Sequence, residues 1–195
     1  MKNNNNQDFF DDIKKEIELY HKERNQVLGV AREILQNAKK AIFVLQAGDL
    51  KQAAKLILEA ESFIAAQEKK YAHSSVLAQE GSWSASLEEF AEAKLFQAAL
   101  TGKTLDCLSS KTFTFSTRIG ALADLTGELV RAAVARATVG DFKTPEKYRA
   151  ITAEVVRFFL DLYLTGYLRT KSDEAKRNLR RLEDMVYELS LKKRR

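Results

Sequence analysis

A chain of 195 residues has room for one domain with a substantial core and is too short for two independent ones. One proline and eight glycines, set against abundant Ala, Leu, Glu, Lys and Arg, favour a nearly all-helical protein. The single cysteine, Cys107, excludes an internal disulfide and a cysteine-based zinc site, and the formal net charge of +5 is modest but unevenly placed, crowded into "KRNLRR" (176–181) and "KKRR" (192–195).

The polar opening "MKNNNNQD", residues 1–8, is expected to be disordered, leaving 9–195 as one helical domain. From Phe9, apolar residues recur through Ile13, Ile17, Tyr20, Val27, Val30, Ile34, Ala38, Ile42 and Leu45, which describes one unusually long helix ended near Gly48. A second helix runs from about Leu50 to Tyr71. Both are too long to be buried in a small monomer, so their outward apolar positions call for partner subunits. The third carries "SLEEFAEAKLFQAAL", Ser86 to Leu100, and stops at Thr101-Gly102. "KTFTFSTR", Lys111 to Arg118, alternates like a strand, but an isolated strand has nothing to pair with, so a loop or the start of a helix is expected.

The fourth helix is "GALADLTGELVRAAVARATVGD", Gly120 to Asp141. Thr144 then reads as an N-cap with Pro145 at the first helical position, opening a helix through Val155, Phe158, Phe159 and Leu162. Ser172 caps a last helix carrying Leu179, Leu182, Met185, Val186 and Leu189. The fold class is therefore all-α, an antiparallel bundle of about six or seven helices. No signal peptide and no apolar run near the ~20 residues of a membrane span is visible, so a soluble, cytoplasmic protein is expected.

Two acidic pairs interrupt these helices. Asp124 and Glu128 stand at i and i+4, and Glu89 and Glu92 at i and i+3, so each pair projects from one face. If the two helices pack together, four carboxylates converge, and such a cluster needs a bound cation or retained protons. An all-oxygen set suits Mg²⁺ or Mn²⁺ rather than a soft metal. Small neighbours, Gly120, Ala121 and Gly127, would leave room around the acids. Each acid also has a plainer reading: Ser86-x-x-Glu89 fits a capping box, Glu128 can pair with Arg131, and Glu92 can simply be solvated.

Other chemistry fails on spacing. A di-iron bundle needs two Glu-x-x-His pairs; Glu18-x-x-His21 supplies one, but Lys70 precedes His73 by three residues. There is no Gly-rich phosphate loop, and neither histidine offers a base for a Ser or Cys nucleophile. His21 then reads as a surface residue, Cys107 as a small core residue, and Trp83 as packing at a helix start or a base-stacking ring.

"ALADLTGELVRAA…TVGDFKTP", Ala121 to Pro145, resembles the Asp-Leu-Thr-Gly-Glu-Leu segment of translin-associated factor X, and "EEFAEA", Glu88 to Ala93, is similar to its Glu-aromatic-x-Glu-Ala motif. "AREIL", Ala31 to Leu35, and "LEDMVYELSLKKR", Leu182 to Arg194, resemble the first and last helices of translin. The resemblance to this family spans nearly the whole chain from about Tyr20. The chain departs from it in lacking the long insertion before the Asp-Leu-Thr-Gly-Glu helix and in showing "QEGSWSAS" where translin is His-rich.

The resemblance implies a metal-dependent endoribonuclease acting on single-stranded RNA, with Glu89, Glu92, Asp124 and Glu128 as catalytic acids and metal ligands and Mg²⁺ or Mn²⁺ as cofactor. It implies a homo-oligomer, an octamer in the family pattern, with single-stranded DNA as a second candidate ligand. Backbone capture would fall to Lys22, Arg24, Arg131, Arg177, Arg180 and Arg181, although pairing with Glu128 explains Arg131 equally well. The alternative is a non-catalytic single-stranded nucleic-acid-binding scaffold of the same fold.

Overall fold

The structure, a computed structural model, describes residues 4–108 and 111–192. Among these residues there are seven helices and no strand. The first, α1 (Asn4–Gln46), starts inside the segment expected to be disordered; residues 1–3 lie outside the described residues. Its C-terminal half buries Val27, Ala31, Ile34, Ala38, Ala41, Ile42 and Leu45 at helical spacing. Its N-terminal half leaves Phe9 and Phe10 about 60% and 59% exposed, with Ile13, Ile17 and Leu19 also exposed.

Gly48, at φ +85°, ends α1 as expected, a left-handed turn that glycine adopts without the Cβ penalty. Asp49 then caps α2 (Leu50–Lys70) by accepting the Gln52 N–H at 2.9 Å. A short helix not legible in the sequence, α3 (Val76–Gln79), buries Val76.

The central helix is α4 (Gly81–Thr101), packed against α1, α2 and α5 and buried on most of its circumference. Glu80 caps it by accepting the Ser82 N–H at 3.2 Å. Ser86 is not the N-cap of a capping box: it lies inside the helix, fully buried, and donates to the Trp83 carbonyl at 2.8 Å. Trp83 is itself buried, so it packs at the helix start rather than offering a stacking face.

Lys111 to Arg118 becomes a turn and then the first residues of α5 (Phe115–Thr138). Thr114 caps that helix at the Thr117 N–H, and Phe113 is buried with its ring stacked on Phe90, centroids 6.2 Å apart. At α6 (Thr144–Leu160) Pro145 takes the first turn as expected, but the capping carboxylate is Asp141, which accepts from the Thr144 N–H at 3.1 Å and from its hydroxyl at 2.6 Å.

The last helix, α7 (Gly166–Lys192), begins before the expected cap; Ser172 lies within it and is buried. The N-terminal half of the chain packs α1 against α2 and α4, and the C-terminal half packs α5, α6 and α7 on one another, with α4 against α5 joining the two. A second small cluster, Ile119, Ala123, Val155, Val156, Phe159 and Ala175, fills the space among α5, α6 and α7.

Candidate carboxylate site and its cleft

The α4–α5 contact places Glu89 and Glu92 opposite Asp124 and Glu128. The four acids are within mutual electrostatic reach: the charges of Asp124 and Glu128 raise the pKa of both glutamates on α4. Glu92 is 8% exposed, and its carboxylate has no hydrogen bond or ion pair among the described residues. Burial first, and then the charges of Asp124, Glu89 and Glu128, push its pKa from 4.5 up to about 9. Glu89, half-buried, is raised chiefly by burial, against the opposing charge of Lys39.

Asp124 is raised by burial too, although Lys171 opposes the shift. The Lys171 ammonium stands 2.6 and 2.5 Å from the two Asp124 oxygens and 3.3 Å from Glu88 Oε1. Burial works against the charge on Lys171, but these bonds and that of Tyr167 hold its pKa above the ordinary lysine value. Glu128 accepts from Gln46 Nε2 at 2.7 Å and from Arg131 at 2.9 Å, the latter being the pairing read from the sequence. Among the described residues no group of three His, Cys, Asp or Glu side chains is set at metal-binding geometry. The helices thus bring the four acids together, while protein cations and an amide take up two of them.

The small residues do not act as clearance. A Cβ on Gly120 would run into the carboxylate of Glu88, Ala121 is wholly buried, and a Cβ on Gly127 would lie 3.6 Å from Asn178 Nδ2. The space at Gly120 belongs to Glu88, which accepts a hydrogen bond from the Tyr167 hydroxyl. The expectation that these residues leave room around the acids is therefore corrected.

Beside the acids lies an open cleft of about 670 Å³. Glu88, Glu89, Asp124, Lys39, Tyr167 and Lys171 line it, drawn from α1, α4, α5 and α7. The sequence reading missed Lys39, Glu88, Tyr167 and Lys171. Glu88 adjoins the motif and was within reach of a local reading; Lys171 is 47 positions from Asp124, and no local spacing connects them.

The basic residues expected to hold nucleic acid divide. Arg24 makes an ion pair with the buried Glu80 at 2.7 Å, and Arg131 is held by Glu128. Lys22, Arg180 and Arg181 are exposed, and Arg177, also exposed, lies 3.8 Å from Glu174. Residues 193–195 of the basic tail lie outside the described residues. His21 is exposed, with its ring 5.9 Å from that of Tyr20, and takes no part in the acidic group.

These features define a class: an all-helical bundle whose two central helices face acidic pairs toward each other beside a lysine-bearing cleft. The chain belongs to the Translin family, whose profile matches residues 22–193. Its fold is similar to that in the crystal structure of AfC3PO, with TM-score 0.86 at 21% identity, covering 95% of this chain and 99% of that one. The structure of the AfC3PO–duplex RNA complex matches with TM-score 0.82 at 21% identity, covering 93% and 96% of the two chains. The crystal structure of apo-NeC3PO matches with TM-score 0.79 at 17% identity over 97% and 98%. No curated protein matches the chain. Among the described residues no helix is long and apolar enough to cross a membrane.

Proposed function

We propose that the protein is a metal-dependent endoribonuclease that cuts single-stranded RNA as a cytoplasmic, translin-like homo-oligomer. The observation that carries this reading is Glu92: a buried carboxylate without a partner, among three other acids, has a reason to be retained when a cation neutralises the group. The donor set is all oxygen, which fits Mg²⁺ or Mn²⁺. Glu92, Asp124 and Glu128 would hold the ion, with Glu89 as a fourth ligand or as the proton acceptor. A bound divalent ion would lower the pKa of a water and neutralise charge developing on the phosphodiester.

The chain's own residues supply the rest. Lys39 and Lys171 put two cations in the cleft beside Glu89 and Asp124, where they would meet phosphate oxygens once a bound ion offsets the acids. Glu89, whose pKa burial raises above the ordinary carboxylate value, would be the better proton acceptor for that. Lys22, Arg177, Arg180 and Arg181 would add contacts to the backbone that carry no base specificity and serve single-stranded DNA equally. In support, the similar AfC3PO has been solved with duplex RNA. The exposed Phe9, Phe10, Ile13, Ile17 and Leu19 of α1 are apolar surface of the kind a second copy covers; eight copies would follow the family pattern.

The test is cleavage of end-labelled single-stranded RNA by purified protein in Mg²⁺ or EDTA. Mg²⁺-dependent cutting that Asp124→Asn and Glu92→Gln abolish, with RNA binding intact, is the expected result. Binding without cutting in either Mg²⁺ or Mn²⁺ would favour a scaffold. That second reading has its own observation, since Lys171, Gln46 and Arg131 already match Asp124 and Glu128.

A further inference from the structure

Lys171 is seated unlike an ordinary surface lysine. Its ammonium spans both oxygens of Asp124 at 2.6 and 2.5 Å, reaches Glu88 at 3.3 Å and stands 5.2 Å from the centre of the Tyr167 ring. Its side chain is only 15% exposed. Tyr167 donates to Glu88, and the absent side chain of Gly120 leaves the Glu88 carboxylate its place. Groups from α4, α5 and α7 thus fix one cation on the face of Asp124 that opens to the cleft.

A divalent ion needs an oxygen lone pair at about 2.0–2.2 Å, and both Asp124 oxygens already accept hydrogen bonds from an ammonium. An incoming ion would also stand within a few ångströms of a like charge. We propose that Lys171 is a built-in counter-ion of Asp124 which a divalent cation has to displace, so that the Lys171–Asp124 pair sets the metal affinity of the site. This rests on the reading of Glu92, Asp124 and Glu128 as the metal seat. Glu88 offers the ammonium a second carboxylate close by, so a small swing of the side chain surrenders Asp124 without leaving the lysine unpaired.

The test is Mn²⁺ binding by the full chain, followed through the electron paramagnetic resonance signal of free Mn²⁺, with folding checked by circular dichroism. Lys171→Met and Lys171→Gln, which differ in polarity and so in their risk to folding, should each bind Mn²⁺ on the order of ten-fold more tightly than the wild type, because a like charge has gone. Lys171→Arg keeps the charge and should not tighten binding. The inference is overturned if a folded neutral variant binds Mn²⁺ no better than the wild type while Asp124→Asn still abolishes binding, or if Lys171→Arg tightens binding as much as Lys171→Met. The reading of the acids fails separately, and the inference with it, if no Mn²⁺ binds to any of these proteins or if binding survives both Asp124→Asn and Glu92→Gln.

Discussion

Replacing Glu92 by glutamine should stabilise the metal-free protein, and increasingly so as pH rises. Below pH 4.5 the side chain is neutral in both folded and unfolded chains, and the protonated acid and the amide are nearly isosteric. Between 4.5 and about 9 the unfolded chain has released the proton while the folded protein keeps it. Folding then takes up a proton, so Glu92 subtracts about 1.4 kcal/mol of stability for every pH unit crossed in that window. By pH 7, some two and a half units above 4.5, the loss reaches about 3 kcal/mol. Above about 9 it stops growing.

The amide carries no such proton. In EDTA, thermal melting should therefore show little difference between Glu92→Gln and wild type near pH 4 and a variant more stable by roughly 6–12 °C at pH 7, at the usual 2–4 °C per kcal/mol for a chain of this size. Saturating Mg²⁺ should raise the melting temperature of the wild type and leave the variant where it was. A gap that is the same at pH 5 and pH 8, or a variant that melts below the wild type at pH 7, would refute the account of Glu92 as a buried acid without a partner.

Other perturbations follow from the packing and from the surface charge. Gly120→Ala drives a Cβ into the Glu88 carboxylate, the flexible end of a side chain that must swing away from Tyr167 and Lys171; the roughly 1 kcal/mol that alanine gains over glycine inside a helix offsets the lost contacts, so urea unfolding should change by less than about 1 kcal/mol, and a loss of several kcal/mol would show that Glu88 is too firmly held to move. Arg180→Ala and Arg181→Ala should each lower the slope of log affinity for single-stranded RNA against log salt by about 0.7, the effect of one lost phosphate contact. Arg24→Ala should leave that slope unchanged and lower the melting temperature, because its guanidinium is already occupied by Glu80.

What the sequence determined by itself is what local chemistry controls. The 3.6-residue period located the four long helices that form most of the core, Gly48 and Gly102 marked two of their ends, and the i, i+3 and i, i+4 spacing placed Glu89 with Glu92 and Asp124 with Glu128 on common faces. The Glu128–Arg131 pair is also local, three residues apart, and was legible for that reason. Caps were less secure. Ser86, Thr144 and Ser172 all carry capping side chains, but two of them are buried inside helices and the third donates to Asp141, because the helix ends are set by packing partners that a short window does not contain.

Only the tertiary structure decided which groups the acids meet. Glu92 became a stranded carboxylate because α4 is enclosed by α1, α2 and α5, which no pattern within α4 foretells. Lys171 reached Asp124 across 47 residues, and Gln46 reached Glu128 across 82, because α7 and α1 cross α5 there. Gly120, which as sequence looked like open space, was filled by Glu88 from a different helix. The periodicity of a helix fixes the direction in which a side chain leaves its own axis; the charge it finds at the end of that direction depends on the angle and register of the next helix, and those follow from the packing of the whole core.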